Sequence, residues 1–287
     1  MLHLLLGTDW TANRDEILRR ITVDVLHRKE KRVLIVPELI SHETERRLCA
    51  AAGDTASRYA EVLSFTRLAR RVSDAVGSAA MECLDDGGRM VAMASAARQL
   101  TSQLKAYASV ETKPEFLTSL IDGIDEFKRC CISAEDLKKA SSETEGSLAQ
   151  KLEELSLLME AYDMICSRGK KDPRDQMTWL LEELQEGTFG EEHVFYIDGF
   201  PDFTRQNLAV IAYLIRVSSE ITVSLNCDRV GSTLLSFEKA GATAKEIIQL
   251  AQAVGVEVRI EYVRPTKSGL DILREKLFQG YVEKGCV

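Results

Sequence analysis

Hydrophobic positions along the chain follow two rhythms. In the first segment, short apolar runs alternate with stretches of helical spacing. His3-Leu4-Leu5-Leu6 closes at Gly7, and Val33-Leu34-Ile35-Val36 stops at Pro37. Glu61-Val62-Leu63-Ser64-Phe65 is a third run, and all three read as buried strands. Between and after them, residues 15–26 carry Ile17, Leu18, Ile21 and Val25 on one helical face. Residues 41–52 and 66–76 predict two more helices, with Ser41 as the N-cap of the first. From about 86 to 185 every strong pattern is helical: 90–104, 116–127 and 148–165 are the clearest, with Pro114 and Pro173 falling between helices. The strand–helix rhythm then returns: strands over 194–198, 221–225 and 256–263, helices over 204–217 and 243–254.

Buried strands alternating with helices imply an α/β domain built on a mostly parallel sheet. The helical middle is then an insertion. The expected organisation is a discontinuous α/β domain over 1–80 and 190–265, an inserted all-helical domain over 81–189, and the start of a following region over 266–287.

Composition changes this picture only through its distribution. The 287 residues are 45% hydrophobic, enough for a sizeable core, and no apolar run is long enough to span a membrane. The start of the chain lacks the basic flank and cleavage site of a secretory signal, so a cytoplasmic protein is expected. The seven cysteines form no Cys-x-x-Cys pair, only the adjacent Cys130 and Cys131, and the four histidines are scattered. A metal site is not expected, and free thiols in a reducing compartment are. The net charge of −8 looks hostile to nucleic acid, but residues 1–75 carry +2, residues 76–192 carry −10 and residues 193–287 are neutral. The acidity sits in the middle third, and the remainder can present a neutral-to-basic face to phosphates.

In open parallel sheets ligands bind beyond the carboxyl ends of the strands, so three junctions are the candidate chemistry. After the first strand comes Gly7-Thr8-Asp9-Trp10-Thr11-Ala12-Asn13-Arg14. A phosphate loop of the form G-x-x-x-x-G-K-[ST] wraps phosphates with backbone N–H groups, reaches them with its lysine and holds magnesium with its hydroxyl. Here Gly7 keeps the first glycine, but Ala12, Asn13 and Arg14 replace the second glycine, the lysine and the hydroxyl. Asp9 adds a negative charge where phosphates would lie. Gly7, Thr8, Asn13 and Arg14 therefore read as a degenerate nucleotide site without tight ATP binding, or as an ordinary strand-to-helix turn, with Arg14 left as a weak attractor of phosphate. After the strand 194–197, Asp198 stands where an ATPase carries its magnesium-holding Asp, but Gly199 stands where the water-activating glutamate belongs. The third junction, Leu63-Ser64-Phe65-Thr66-Arg67-Leu68-Ala69-Arg70-Arg71, joins an aromatic, a hydroxyl and a cation at a helix start. That combination suits single-stranded nucleic acid; from composition alone, Phe65 and Leu68 read equally as core and the arginines as a solvated face.

The order and spacing of Val33–Glu38, Val62–Ala69 and Tyr196–Thr204, with the helical insert between them and the late run Leu273–Phe278, resemble the N-terminal region of the B subunits of bacterial AddAB helicase–nucleases. The resemblance runs over nearly the whole chain. It implies a P-loop NTPase-like parallel sheet, of the superfamily 1 helicase domain 1A kind, with the insert as its 1B-like domain. It also implies a much longer protein, of which this chain looks like an N-terminal fragment, with a C-terminal nuclease domain holding an iron–sulfur cluster outside this chain. The family pairs with a catalytic A subunit, processes double-strand breaks for recombination, and surveys the passing single strand without driving translocation.

In related helicases the third junction grips single-stranded DNA, so Phe65, Thr66 and Arg67 are the expected contacts, with Phe200 and Phe203 across the cleft and Ser41 as a further hydroxyl. Two departures matter. Many relatives keep Gly-Lys-[Ser/Thr] in the first loop, and this chain does not. Relatives often have a Gln-Met-Thr-Phe-like run where this chain has Leu39-Ile40-Ser41-His42, so the same DNA sequence is not expected to be recognised. The expectation is a strand-holding, non-motor module with no activity or cofactor of its own. Its alternatives are a residual ATPase that uses Arg14 and a docking module that offers the acidic insert to a partner.

Overall fold

The structure, a computed structural model, describes residues 1–77, 82–108 and 113–263. The run Leu273–Phe278 and the expected further region at 266–287 lie outside the described residues. Contacts divide the chain into two compact units. The sheet unit comprises 1–75, 180–203 and 207 onward; the helical unit comprises 76–179 with 204–206. The helical unit thus ends about ten residues earlier than the expected boundary at 189.

Among the described residues six strands build the sheet: β1 (Leu2–Gly7), β2 (Arg32–Ile35), β3 (Ala60–Leu63), β4 (Val194–Ile197), β5 (Glu220–Asn226) and β6 (Val258–Tyr262). All pairings are parallel, in the order β3-β2-β4-β5-β1-β6. The five strands other than β6 are almost wholly buried, and β5 buries Thr222 and Ser224 along with its apolar residues. On one face Leu5, Leu34, Val62 and Tyr196 pack with Ile17, Leu18 and Ile21 of α1 (Trp10–Leu26) and Leu48 of α2 (Glu38–Ala52). Alternation sends Leu4, Leu6, Ile35, Phe195 and Ile197 to the other side, where they are also buried. The sheet unit also contains α3 (Phe65–Val76), α9 (Arg205–Val217, from Asn207 onward) and α10 (Glu238–Ala253). Edge strand β6 is tied in by Glu261, which bonds Arg20 at 2.7 Å and His3 at 2.8 Å.

Helix starts differ from the expected ones for physical reasons. α1 begins at Trp10, not near 15, because Asp9 caps it; Asn13 and Arg14 are buried polar residues that an apolar periodicity does not register. α2 begins at Glu38 behind Pro37, so Ser41 is not its cap; its hydroxyl instead donates to the Glu38 carbonyl at 2.9 Å. Phe65 opens α3 and is not the end of β3.

The helical unit packs α4 (Asp86–Gln99), α5 (Pro114–Arg129), α6 (Ala134–Ser142) and α7 (Gly146–Ser167) around Met93, Leu120, Ile124, Leu158 and Tyr162. Pro114 is the first residue of α5, where a missing N–H costs nothing, and Pro173 opens a single 3-10 turn before α8 (Gln176–Glu186). Ser133 and Asp136 form a reciprocal capping box at the start of α6. Among the described residues no helix is long and apolar enough to cross a membrane.

Candidate functional site

The connection after β2 runs to β3 on one side, and the connection after β4 runs to β5 on the other. A crevice therefore opens at the carboxyl ends of β2 and β4. The segments that meet there are Pro37–Ile40, Asp198–Phe200 and the N-terminal turn of α1.

Only Thr8 and Asp9 link β1 to α1. The Asp9 carboxylate accepts from the Thr11 backbone N–H at 2.9 Å and from the Thr11 hydroxyl at 2.6 Å, which satisfies an otherwise orphaned helix donor. Asn13 folds back beneath the turn, and its amide donates to the carbonyls of Gly7 at 3.3 Å and Leu225 at 3.2 Å. A Cβ on Gly7 would overlap the Asn13 side-chain oxygen, so a larger residue there has to displace the amide that closes the turn. Asn226, with its amide nitrogen oriented toward β1, donates to Gly7 O at 2.9 Å and Thr8 O at 3.2 Å.

Arg14 does not face solvent. Its Nε donates to Asp198 Oδ2 at 2.9 Å, both side chains are buried, and its guanidinium lies 5.1 Å from the Trp10 ring centroid. The next residue, Gly199, has φ +83°, and a Cβ on it would lie 2.9 Å from Ile40 Cδ1 and 3.0 Å from Arg14 Nη2. No side chain fits at this position without strain.

The tight turn at Gly199 delivers Phe200 to Phe65, at a centroid distance of 5.4 Å, and to Phe203, at 5.2 Å. The structure thus brings these three expected residues into one aromatic row. Phe65 is buried at the start of α3, and Phe200 and Phe203 are half-buried. Ser64 caps α3 by accepting from the Arg67 N–H at 3.2 Å, which leaves Thr66 exposed and Arg67 half-buried at the helix N-terminus. Ser41 is buried and its hydroxyl is bonded to its own helix. Gly7, Asn13, Arg14 and Asp198 are gathered around the α1 turn.

A cleft of about 190 Å³ opens beside the pair, lined by Trp10, Asn13, Arg14, Asp198, Phe200 and Asn226 among others. Sequence reasoning missed Trp10, which is 56% exposed at its rim, and Asn226. Their available signals were an aromatic outside the apolar stripe of α1 and an amide at a strand end.

Sheet and crevice define the class: a parallel α/β protein with a crevice beyond the carboxyl ends of its strands. The chain belongs to the family described as ADDB, N-terminal, whose model matches residues 4–272. It is 26% identical over 229 residues to the B subunit of the ATP-dependent helicase/deoxyribonuclease of Clostridium acetobutylicum, covering 79% of this chain and 20% of that protein. Proteins of the same name from Thermoanaerobacter sp. and Acetivibrio thermocellus are 29% and 25% identical, over 81% and 88% of this chain and 20% and 22% of theirs. The chain spans about a fifth of the length of the curated relatives it matches.

Proposed function

We propose that this chain is the strand-holding, non-motor part of the B subunit of a helicase–nuclease. In this reading it belongs to a P-loop NTPase-like fold whose nucleotide site has closed, and it binds single-stranded DNA along Phe65, Thr66, Arg67, Phe200 and Phe203. It works beside a catalytic A subunit in processing double-strand breaks in the cytoplasm. The observation that carries the reading is the aromatic row at the strand ends, beside a turn closed by its own side chains. Base stacking on aromatics and phosphate contacts from a helix N-terminus are what a single strand needs.

The relatives' name includes ATP, so the fit of Mg-ATP to these residues matters. Two residues between strand and helix leave no loop to wrap phosphates, and the Asp9 carboxylate already takes the Thr11 N–H. Asn226 and Asn13 hold the turn's carbonyls, Arg14 is spent on Asp198, and a glutamate at 199 has no room. These residues do not fit Mg-ATP, and no nucleotide-driven step is assigned to the chain.

The test is anisotropy with a labelled oligo-dT at low salt. Phe200→Ala is expected to weaken binding by about 1–3 kcal/mol, one stacked base. Arg67→Ala is expected to weaken it and flatten its salt dependence. Equal affinity in all three proteins rejects the interface, and calorimetric heat with millimolar Mg-ATP rejects the closed site.

A further inference from the structure

In a working phosphate loop, magnesium is held between the loop hydroxyl and the Asp at the end of the partner strand. Aligned on Gly7, the hydroxyl position is Arg14, and the strand-end carboxylate is Asp198. Here the side chain at the first position bonds the second directly, at 2.9 Å. We propose that Arg14 is an internal cation that takes the place of a nucleotide-bound metal, and that the resulting strut positions Phe200 for the strand with no ligand present. The coupling to Phe200 rests on the strand-holding reading, and the comparison with a metal rests on the closed phosphate-loop reading of the α1 turn; the buried Arg14–Asp198 strut itself rests on neither.

Three features support it. The guanidinium is fixed on both sides, by the Asp198 carboxylate and by the Trp10 ring at 5.1 Å. It fills the space that a side chain at 199 would need, so it braces the left-handed turn that aims Phe200. Phe200 in turn touches both Phe65 and Phe203, so a shift of that turn disturbs the whole row. A metal set in place by nucleotide would make the row's geometry depend on ATP; a covalently attached cation makes it permanent. Arg14 in this account is a positioning residue and touches no DNA.

The experiment is chemical rescue in the full 287-residue chain carrying Trp179→Phe, which leaves Trp10 as its single tryptophan. Arg14→Ala is expected to shift Trp10 emission and to weaken oligo-dT binding about tenfold, the loss of roughly one stacked base. Millimolar guanidinium is expected to restore both in Arg14→Ala and neither to change in the parent. Arg14→Lys, which keeps the charge without the planar fork, is expected to recover only part of the binding. Rescue of the Trp10 signal with no change in strand affinity overturns the positioning role. No rescue of either signal overturns the internal cation. Should the parent fail to bind oligo-dT, the strand-holding reading falls by itself, while Trp10 still reports on the cation. If Arg14→Ala does not fold, Asp198→Asn replaces it: the expected result is the same Trp10 shift and loss of binding, and an unchanged Trp10 signal or unchanged affinity overturns the proposal.

Discussion

In the sheet unit one ion pair, Arg14–Asp198, is buried at the lip of a cleft, next to an exposed tryptophan and two glycines at which a Cβ would clash. In the helical unit a larger set of charges is buried among packed helices. Arg89 of α4 pairs with Asp125 of α5 and with Asp172 at 3.1 Å, and donates to the Tyr162 hydroxyl at 3.2 Å. Lys128 meets Asp163, Asp172 and Asp175 at 2.8–2.9 Å. Burial alone would lower the Lys128 pKa, but Asp175, Asp163 and Asp172 outweigh it and hold the ammonium above its usual range. Every charge in this second set faces a partner, and together they pin the turn after α7 onto three helices. The comparison separates two uses of buried charge. A closed network joins packed helices, whereas the single pair at the cleft lies beside open space and the aromatic row of the proposed strand-holding site.

Each unit carries one of the two tryptophans, Trp10 and Trp179, so single-tryptophan proteins report on each separately. The largest expected effect is from Lys128→Met. It removes the ammonium from three carboxylates, of which Asp172 keeps Arg89 and Asp163 is partly exposed, and the loss should be about 3–5 kcal/mol, seen in urea unfolding followed by Trp179. Arg14→Met strands only Asp198 and should cost nearer ~3 kcal/mol in the Trp10 transition. Adding Asp198→Leu to it should recover most of that loss, because a buried pair replaced by apolar groups is often neutral. The same strategy should fail in the helical unit, where no two substitutions remove every partner. Equal recovery in both units would erase the distinction.

How much of this was legible beforehand follows from what burial does to a pattern. Strands buried on both faces announce themselves as apolar runs, so β1, β2, β4 and β5 lie within a residue or two of their expected positions. Asn13 and Arg14 are just as buried but polar, so the first turn of α1 was invisible and the junction read as a longer loop. Arg89 and Lys128 on their helices and Asp172 in a turn carry the same lesson: charge reads as solvated surface, and only packing reveals that these three are interior. The contact of Phe65 with Phe200 joins residues more than a hundred positions apart, and no local spacing predicts it; the family resemblance named both residues but placed Phe200 across a cleft from Phe65. Ser41 shows the reverse, a residue plausible by type whose hydroxyl is already used within its own helix.

Acid separates the units more gently. His193, stacked between Phe189 and Phe195, has its pKa lowered by burial and by Lys31 and Arg71. A depressed folded pKa gives stability that is present above the unfolded value and lost as pH falls through the folded one. The Trp10 transition should therefore weaken as pH drops below about 6.5, and His193→Phe should remove the effect. In the helical unit, burial pushes the Asp172 carboxyl up, but Lys128 outweighs it and leaves the pKa lowered; that stability is lost only below the ordinary carboxylate range, near about pH 4. Asp175, raised by burial, has the opposite sign and partly offsets it. The Trp179 transition should thus stay flat between about pH 6.5 and 5 while the Trp10 transition moves.

The smallest expected effect sharpens what closed the α1 turn. Asp9 can oppose a nucleotide in two ways, by charge repulsion or by completing a turn that has no room for phosphates. Asp9→Ala removes the charge and the cap together, and should cost the Trp10 transition about 1 kcal/mol. Asn13 and Asn226 still hold the Gly7 and Thr8 carbonyls, and Arg14 still holds Asp198. If geometry is what excludes the ligand, calorimetry of Asp9→Ala with millimolar Mg-ATP should remain silent. Heat in that variant alone would mean that a single carboxylate, and not the folded-back amides and the buried arginine, is what keeps nucleotide out.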